Sequence, residues 1–234
     1  MKMIKTTLFA IATMLASVTQ AQTADEIISK HIEAIGGKEK LSQVKSLYVE
    51  NSVEIMGNKA PVTEYLLAGK GFKSETDFNG SKIIQCYTDK GGWAVNPMAG
   101  GTAAQAMPDE MYQAGKNTIY AGGALTDYAA KGSKVELLGQ EEGAFKIKLT
   151  NGTAESFYFI DPATWYLKKT SVKGEMMGQA IDIVTTYSDF KKTDFGIVLP
   201  YSKTVDLGAF SMPSTITKVD VNKEMDPAIF EMPK

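Results

Sequence analysis

The sequence predicts a mainly β (α+β) domain: an antiparallel meander of ten or more strands that curls, with a helix at its start and one helical insertion. Three observations lead there. Apolar and polar residues alternate with a period of two along much of the chain, as half-buried strands require. Asn79-Gly80 and Asn151-Gly152 each sit between two such runs, and Asn-Gly is the strongest short hairpin signal. One segment, Pro97 to Lys131, drops the alternation and turns rich in Ala, Gly and Met. A meander this long curls because a flat sheet leaves open edges.

Residues 1–21 read as a secretory signal peptide. Lys2 and Lys5 form a positive start, an apolar run extends from Thr6 to about Val18, and Thr19 and Ala21 place small residues before a cut at Gln22. The run is shorter than the roughly 20 residues of a spanning helix. The expectation is therefore an exported chain, periplasmic or secreted, with residues 22–234 as one soluble domain that does not span a membrane. No Cys follows the cut to carry a lipid. That mature chain has 23 Lys against 27 acids, a formal charge of −4, and no Arg. Arg is the usual residue for forked phosphate contacts, so nucleic acid is not an expected partner. Cys86 is the single cysteine, which leaves no intrachain disulfide, and its strand-like setting makes it a small buried hydrophobe.

The elements follow in order. Thr23 and Glu26 form a capping box, Ile28, Ile32 and Ile35 recur at helical spacing, and Gly36-Gly37 ends the helix. A short turn of helix runs from Lys38 to about Val44. Leu47, Val49, Val53 and Ile55 then alternate with polar residues in the first strand, which turns at Gly57-Asn58 and returns over 62–68. Further strands are expected at 72–78, 82–88, 93–96, 144–150, 154–160, 165–173, 179–190, 197–207 and 215–221. Inside the Pro97–Lys131 insertion, Pro108-Asp109-Glu110 starts one helix and Ala124 to Ala130 suits a second. An insertion of this length is a plug or a moving cover, and such connections are often functional.

Catalytic chemistry is hard to find. His31 is the only histidine, so a histidine-based metal cluster is excluded, and its helical setting accounts for it structurally. Ala68-Gly69-Lys70-Gly71 lacks the spacing of a phosphate loop, and adjacent acids such as Asp109-Glu110 point in different directions. Neither an enzyme nor a cofactor is expected. What remains is apolar and adaptable: Met98, Met107, Met111, Tyr112, Ile119, Tyr120, Leu125 and Tyr128 gather in or beside the insertion. They suit a ligand-binding surface, and equally an ordinary core.

Four stretches together resemble the LolA-like exported proteins. They are His31-Ile32-Glu33-Ala34-Ile35-Gly36-Gly37-Lys38-Glu39-Lys40-Leu41 with Val44-Lys45-Ser46-Leu47; Phe157 to Pro162 with Trp165-Tyr166-Leu167; Tyr187-Ser188-Asp189-Phe190 with Gly196-Ile197-Val198-Leu199-Pro200-Tyr201; and the tail Asp226-Pro227-Ala228-Ile229-Phe230-Glu231-Met232-Pro233. The resemblance implies a strongly curved antiparallel sheet, an incomplete barrel, with the N-terminal helix and a helical lid over 97–131 in its mouth. It further implies a carrier that sequesters acyl chains of lipid or lipoprotein, as in outer-membrane lipoprotein sorting. The eight residues named above would be its lid contacts, with Trp93 and Phe157 on the sheet side. Carriers of that family use an arginine inside the sheet to hold the lid, and this chain has none, so that role is vacant or filled differently. An envelope protein-interaction or sensor module with a filled cavity is the alternative, and an enzyme acting on envelope lipid or glycan the third.

Overall fold

A computed structural model describes residues 22–97, 100–176 and 179–233. Helix α1 (Ala24–Ala34) begins with the expected capping box, in which Thr23 Oγ1 accepts from Glu26 N at 3.2 Å and Thr23 N donates to Glu26 Oε2 at 3.0 Å. Its buried stripe is Ile27, Ile28, His31 and Ile32. The helix stops where Gly36 presses on the backbone of Ile197; a Cβ there would lie 3.2 Å from Ile197 Cα, and φ is +130°. Helix α2 (Lys38–Ser42) follows at once.

Thirteen strands then form one antiparallel sheet: β1 (Ser46–Ile55), β2 (Asn58–Leu67), β3 (Gly71–Phe78), β4 (Ser81–Thr88), β5 (Gly92–Asn96), β6 (Gly101–Ala106), β7 (Lys134–Glu141), β8 (Ala144–Asn151), β9 (Ala154–Ile160), β10 (Leu167–Met176), β11 (Gln179–Lys192), β12 (Val198–Asp206) and β13 (Ser211–Val221). Their spatial order is β6-β5-β4-β3-β2-β1-β13-β12-β11-β10-β9-β8-β7. Two meanders run outward from the centre, where first and last strands pair from Leu47↔Val221 to Val53↔Ser214. The free edges are β6 and β7, and a single connection, residues 107–133, joins them.

That connection shows how strongly the sheet curves. Helix α3 (Asp109–Gly115) touches β9, and the 3-10 turn after it (Lys116–Ile119) touches β3 and β4. In a flat sheet β4 and β9 would stand about 38 Å apart, eight spacings of about 4.8 Å. Helix and turn together reach only about 18 Å. The two halves therefore face each other across a hollow, and the connection straps the mouth. The sheet is nonetheless not closed into a barrel: β6 and β7 do not pair.

Two apolar clusters hold this shape. On the concave face, α1, Leu41, Val44 and Leu125 pack on Phe145, Ile147, Leu149, Ile160 and Ile197. On the convex face, the C-terminal 3-10 turn (Pro227–Phe230) covers β3 to β5, where Phe230 meets Cys86 and Trp93. Trp93 Nε1 donates to the Phe230 carbonyl at 2.8 Å. Gly71 is required beneath that ring, since a Cβ would fall 2.5 Å from Phe230 Cγ.

The structure departs from the sequence reading in several places. Strands β6 and β7 are both additional, and because β6 falls inside the Pro97–Lys131 insertion, that insertion is not wholly helical. Ala124 to Ala130 forms turns instead of a helix: Gly123 (φ +66°) and Asp127 (φ +48°) break it, and Lys131 Nζ takes up the carbonyls of Gly123 and Thr126 at 3.0 and 2.5 Å. The β1–β2 turn is Met56-Gly57, both at positive φ, and Ile55 pairs with Asn58. The second Asn-Gly hairpin shifts by one residue. Asn151 pairs with Ala154 inside the ladder, and its buried Nδ2 donates to Ser133 Oγ at 3.1 Å.

His31 is 5 % exposed, deeper than a helix flank, with Nδ1–H donating to the Trp165 carbonyl at 2.8 Å. Burial pushes its pKa below the ordinary 6.5, only partly offset by that bond. Between its folded value and 6.5 the unfolded chain binds more protons, so stability falls as pH drops below 6.5. Urea titrations from pH 7.5 to 5 are expected to show this loss, and His31→Gln to flatten it. Burial likewise raises the Cys86 thiol to about 12. Phe230→Ala is expected to cost about 3 kcal/mol in urea unfolding and to speed modification of Cys86 by a disulfide reagent.

Candidate functional site: the concave face of the sheet

In a strand, successive side chains point to opposite faces, so ladder registers sort the sheet into two surfaces. Tyr87 fixes which is concave: its ring lies against Gly115 of α3, where an added Cβ would stand 2.2 Å from Tyr87 Cε1. Leu66 and Phe72, which join Tyr87 across β2 and β3, share that face. So do Val49, Asn51 and Val53 of β1 and Val62 and Glu64 of β2. On the other half, Tyr158 and Ile160 of β9 pack with the α1 cluster, which places them on the same inner surface.

A belt of polar side chains crosses this inner surface. In sheet order it comprises Glu64 (β2), Asn51 (β1), Ser214 (β13), Lys203 (β12), Tyr187 (β11), Thr170 (β10) and Tyr158 (β9). Lys203 Nζ donates to Glu64 Oε1 at 2.7 Å, spanning β13 and β1. Tyr187 Oη lies 3.3 Å from Thr170 Oγ1. Burial pushes the Lys203 ammonium down, but the Glu64 carboxylate, by charge and by hydrogen bond, more than reverses this, and the net shift is upward. Burial, with the neighbouring Tyr187, holds the Tyr158 hydroxyl well above the usual tyrosine range.

Asn51 and Ser214 are buried, while the Lys203–Glu64 pair is only partly enclosed. Lys203 is surrounded by protein strongly enough to be desolvated, yet 34 % of its side chain and 20 % of that of Glu64 remain open to solvent. Half-buried Val53, Val205 and Ile216 adjoin them on the same face, while Phe72 and Leu66 continue the wall toward the strap. The arrangement offers an apolar concavity with a few convergent polar groups, the usual make-up of a small-molecule site.

The strap is fastened at both ends. Gly69 N donates to the Ile119 carbonyl at 2.8 Å, and Tyr112 Oη donates to the Thr88 carbonyl at 2.9 Å. At the other end Leu125 is buried against α1, Tyr128 Oη donates to Asp25, and Lys38 pairs with Asp127 at 2.6 Å. Lys131 lies 3.9 Å from the Tyr120 ring centroid, and burial lowers its pKa to about 8.

The residues singled out from sequence therefore part company. Tyr112, Ile119, Leu125 and Tyr128 hold the strap in place, and Met107 packs on Gly92 beside Tyr87. Met111 is 49 % exposed, Tyr120 lies at the surface under Lys131, and Met98 lies outside the described residues. Trp93 and Phe157 do not face the hollow. Trp93 shares the Cys86 face beneath Phe230, and Phe157 pairs with Lys148 opposite the Ile147 face, with Lys146 Nζ 5.1 Å from its ring. Period-two alternation sends them to the convex side. The belt was missed although its signal is in the sequence. Asn51 interrupts Leu47-Val49-Val53-Ile55, Glu64 interrupts Val62-Leu66, and Lys203 interrupts Leu199-Tyr201-Val205.

This open, strapped antiparallel sheet has a LolA-like fold. It is similar over 90 % of its length to 98 % of a LolA superfamily protein from Nitrosomonas europaea, with a TM-score of 0.58 at 12 % identity. A DUF1329 family protein from Desulfovibrio piger matches with TM-score 0.55 and 13 % identity, covering 88 % of this chain and 96 % of that one. A domain assigned to outer-membrane lipoprotein sorting in Vibrio parahaemolyticus gives TM-score 0.53 at 11 % identity, covering 87 % and 95 %. No family model matches the sequence, and no curated protein matches it either. Among the described residues, no helix is long and apolar enough to cross a membrane, and no group of three or more potential metal ligands occurs.

The Lys203–Glu64 pair can be tested directly. Lys203→Met leaves a carboxylate unmatched in the hollow and is expected to cost about 1–2 kcal/mol, after allowance for the water that reaches both groups. Lys203→Met with Glu64→Leu should recover most of that in a double-mutant cycle. Because the Lys203 pKa is raised, its contribution is full below the ordinary lysine value of 10.5 and lost as pH climbs through the higher folded value. Urea midpoints between pH 9 and 11.5 check both statements.

Proposed function

We propose that this protein is an exported, periplasmic carrier that takes acyl chains of lipid or lipoprotein into the hollow beneath the 107–133 strap, reversibly and without covalent chemistry. The observation that carries the reading is the inner face itself. Lys203 is enclosed by protein yet open to solvent, between apolar strands and below a strap held by a few hydrogen bonds and one exposed ion pair. An acyl chain gains about 0.8 kcal/mol for each methylene it buries there. The LolA-like fold and the signal-like residues 1–21 support the same reading. Release would follow from loosening the strap, whose fastenings at Asp25–Tyr128 and Lys38–Asp127 are exposed.

Native mass spectrometry of residues 22–234 purified from a bacterial periplasm is expected to show co-purified acyl species that organic extraction removes. Val205 is half-buried on the inner face, so Val205→Asp should weaken uptake of a fluorescent fatty acid by at least about tenfold, with little loss of stability. Met111→Asp, on the exposed side of α3, should leave uptake unchanged. A bare mass together with no uptake of added lipid would overturn the proposal in favour of an envelope interaction module.

A further inference from the structure

Within the polar belt one group is left unanswered. Asn51 is 5 % exposed, and its Nδ2 is a buried donor with no hydrogen-bond partner. Buried polar groups are nearly always paired because an unmet donor is costly, so such an exception calls for an explanation. The ladder gives its position. Asn51 pairs with Val62 on one side and Ile216 on the other, on the inner face, on a strand lying between those of Glu64 and Lys203. The bridge from Lys203 to Glu64 thus crosses the strand that carries Asn51.

The charges nearby say what would answer it. Lys203 and Glu64 form an ion pair with no net charge, so the site offers no surplus cation for a carboxylate or phosphate and no surplus anion for an amine. What it offers is hydrogen-bond donors: the Asn51 amide, the remaining protons of the Lys203 ammonium, and the one hydroxyl proton that the Tyr187–Thr170 hydrogen bond leaves free. The neighbouring walls, Val53, Val62 and Ile216, are apolar. A ligand suited to both is a neutral acceptor at the head of a hydrocarbon chain.

We infer that Asn51, with Lys203 beside it, forms a subsite for the carbonyl of an acyl ester or amide, so that the hollow selects acylated molecules over hydrocarbon chains lacking that group. This rests on the carrier reading above and narrows its ligand class. Binding turns an unmet donor into a bonded one, so the gain appears only in the complex. The empty protein carries the strain of the unmatched amide, and the filled one does not.

The test compares two lipids of one chain length by titration calorimetry: 1-monomyristoylglycerol, which has an ester carbonyl, and 1-O-tetradecylglycerol, which has an ether oxygen in its place. The unaltered protein should bind the ester about tenfold more tightly, the effect of one buried hydrogen bond. Asn51→Leu should bind the two within about twofold, chiefly through lost ester affinity, and should melt at a higher temperature without ligand because the unmet donor is gone. A myristoylated peptide that also binds more tightly than its tetradecyl-amine analogue would extend the class to acylated protein. Equal binding of ester and ether by the unaltered protein overturns the inference and leaves the carrier reading standing. Binding of neither lipid overturns both.

Discussion

The architecture depends on one pairing, that of β1 with β13. Because the first and last strands meet at the centre of the sheet, each half of the chain must run outward from that seam, and the free edges fall at β6 and β7, in the middle of the sequence. One connection then has to travel from edge to edge. A connection of some 27 residues cannot cross a flat thirteen-stranded sheet while α3 and the following turn touch both halves, so the sheet must wrap. Curvature, hollow and strap are one consequence of a single ladder. The edges that remain are defended in familiar ways: β6 is short, and β7 carries Lys134, Glu136 and Glu141 and an irregular register at Leu138-Gly139.

Packing is divided so that the hollow need not be filled. The α1 cluster occupies one end of the concave face, and the C-terminal turn takes the opposite surface of the other half. Each half is thus braced from a different side, and the middle of the inner face is left to the Glu64–Lys203 bridge and its neighbours. A buried ion pair contributes little net stability, since desolvation offsets most of the attraction. It does suit a place where solvent must sometimes enter, because groups already satisfied by each other tolerate both wet and dry surroundings better than either would alone.

Much of this was legible in the sequence. Thr23 and Glu26, the isoleucine stripe and Asn79-Gly80 are local devices, and local devices read well. The resemblance to LolA-like proteins supplied the open sheet and its mouth. Strand β7 was missed because Gly139 and an irregular register blur its alternation, and β6 because Gly-Thr-Ala-Ala-Gln-Ala has almost no β-branching or apolar face. An apolar side chain says nothing about direction, so the sheet-side candidates Trp93 and Phe157 lie on the convex surface once strand register is known. The inner belt was readable in principle from polar residues at inward positions. Recognising Asn51, Glu64 and Lys203 as neighbours required the β1–β13 seam, which no local pattern reveals.

The seam also governs how the chain comes to be folded. Leu47 and Val221 are separated by most of the sequence, so the central ladder closes a very long loop, and such topologies fold slowly. As the chain is made, β1 to β6 are available well before β13, and until then β1 presents an unpaired row of backbone donors and acceptors beside Val49 and Asn51. A row of that kind recruits other strands. Arrangement of the sheet from its centre outward therefore gives the newly made polypeptide a period of vulnerability to aggregation, ended only when the last strand arrives, and makes assistance by a holding chaperone advantageous during that interval.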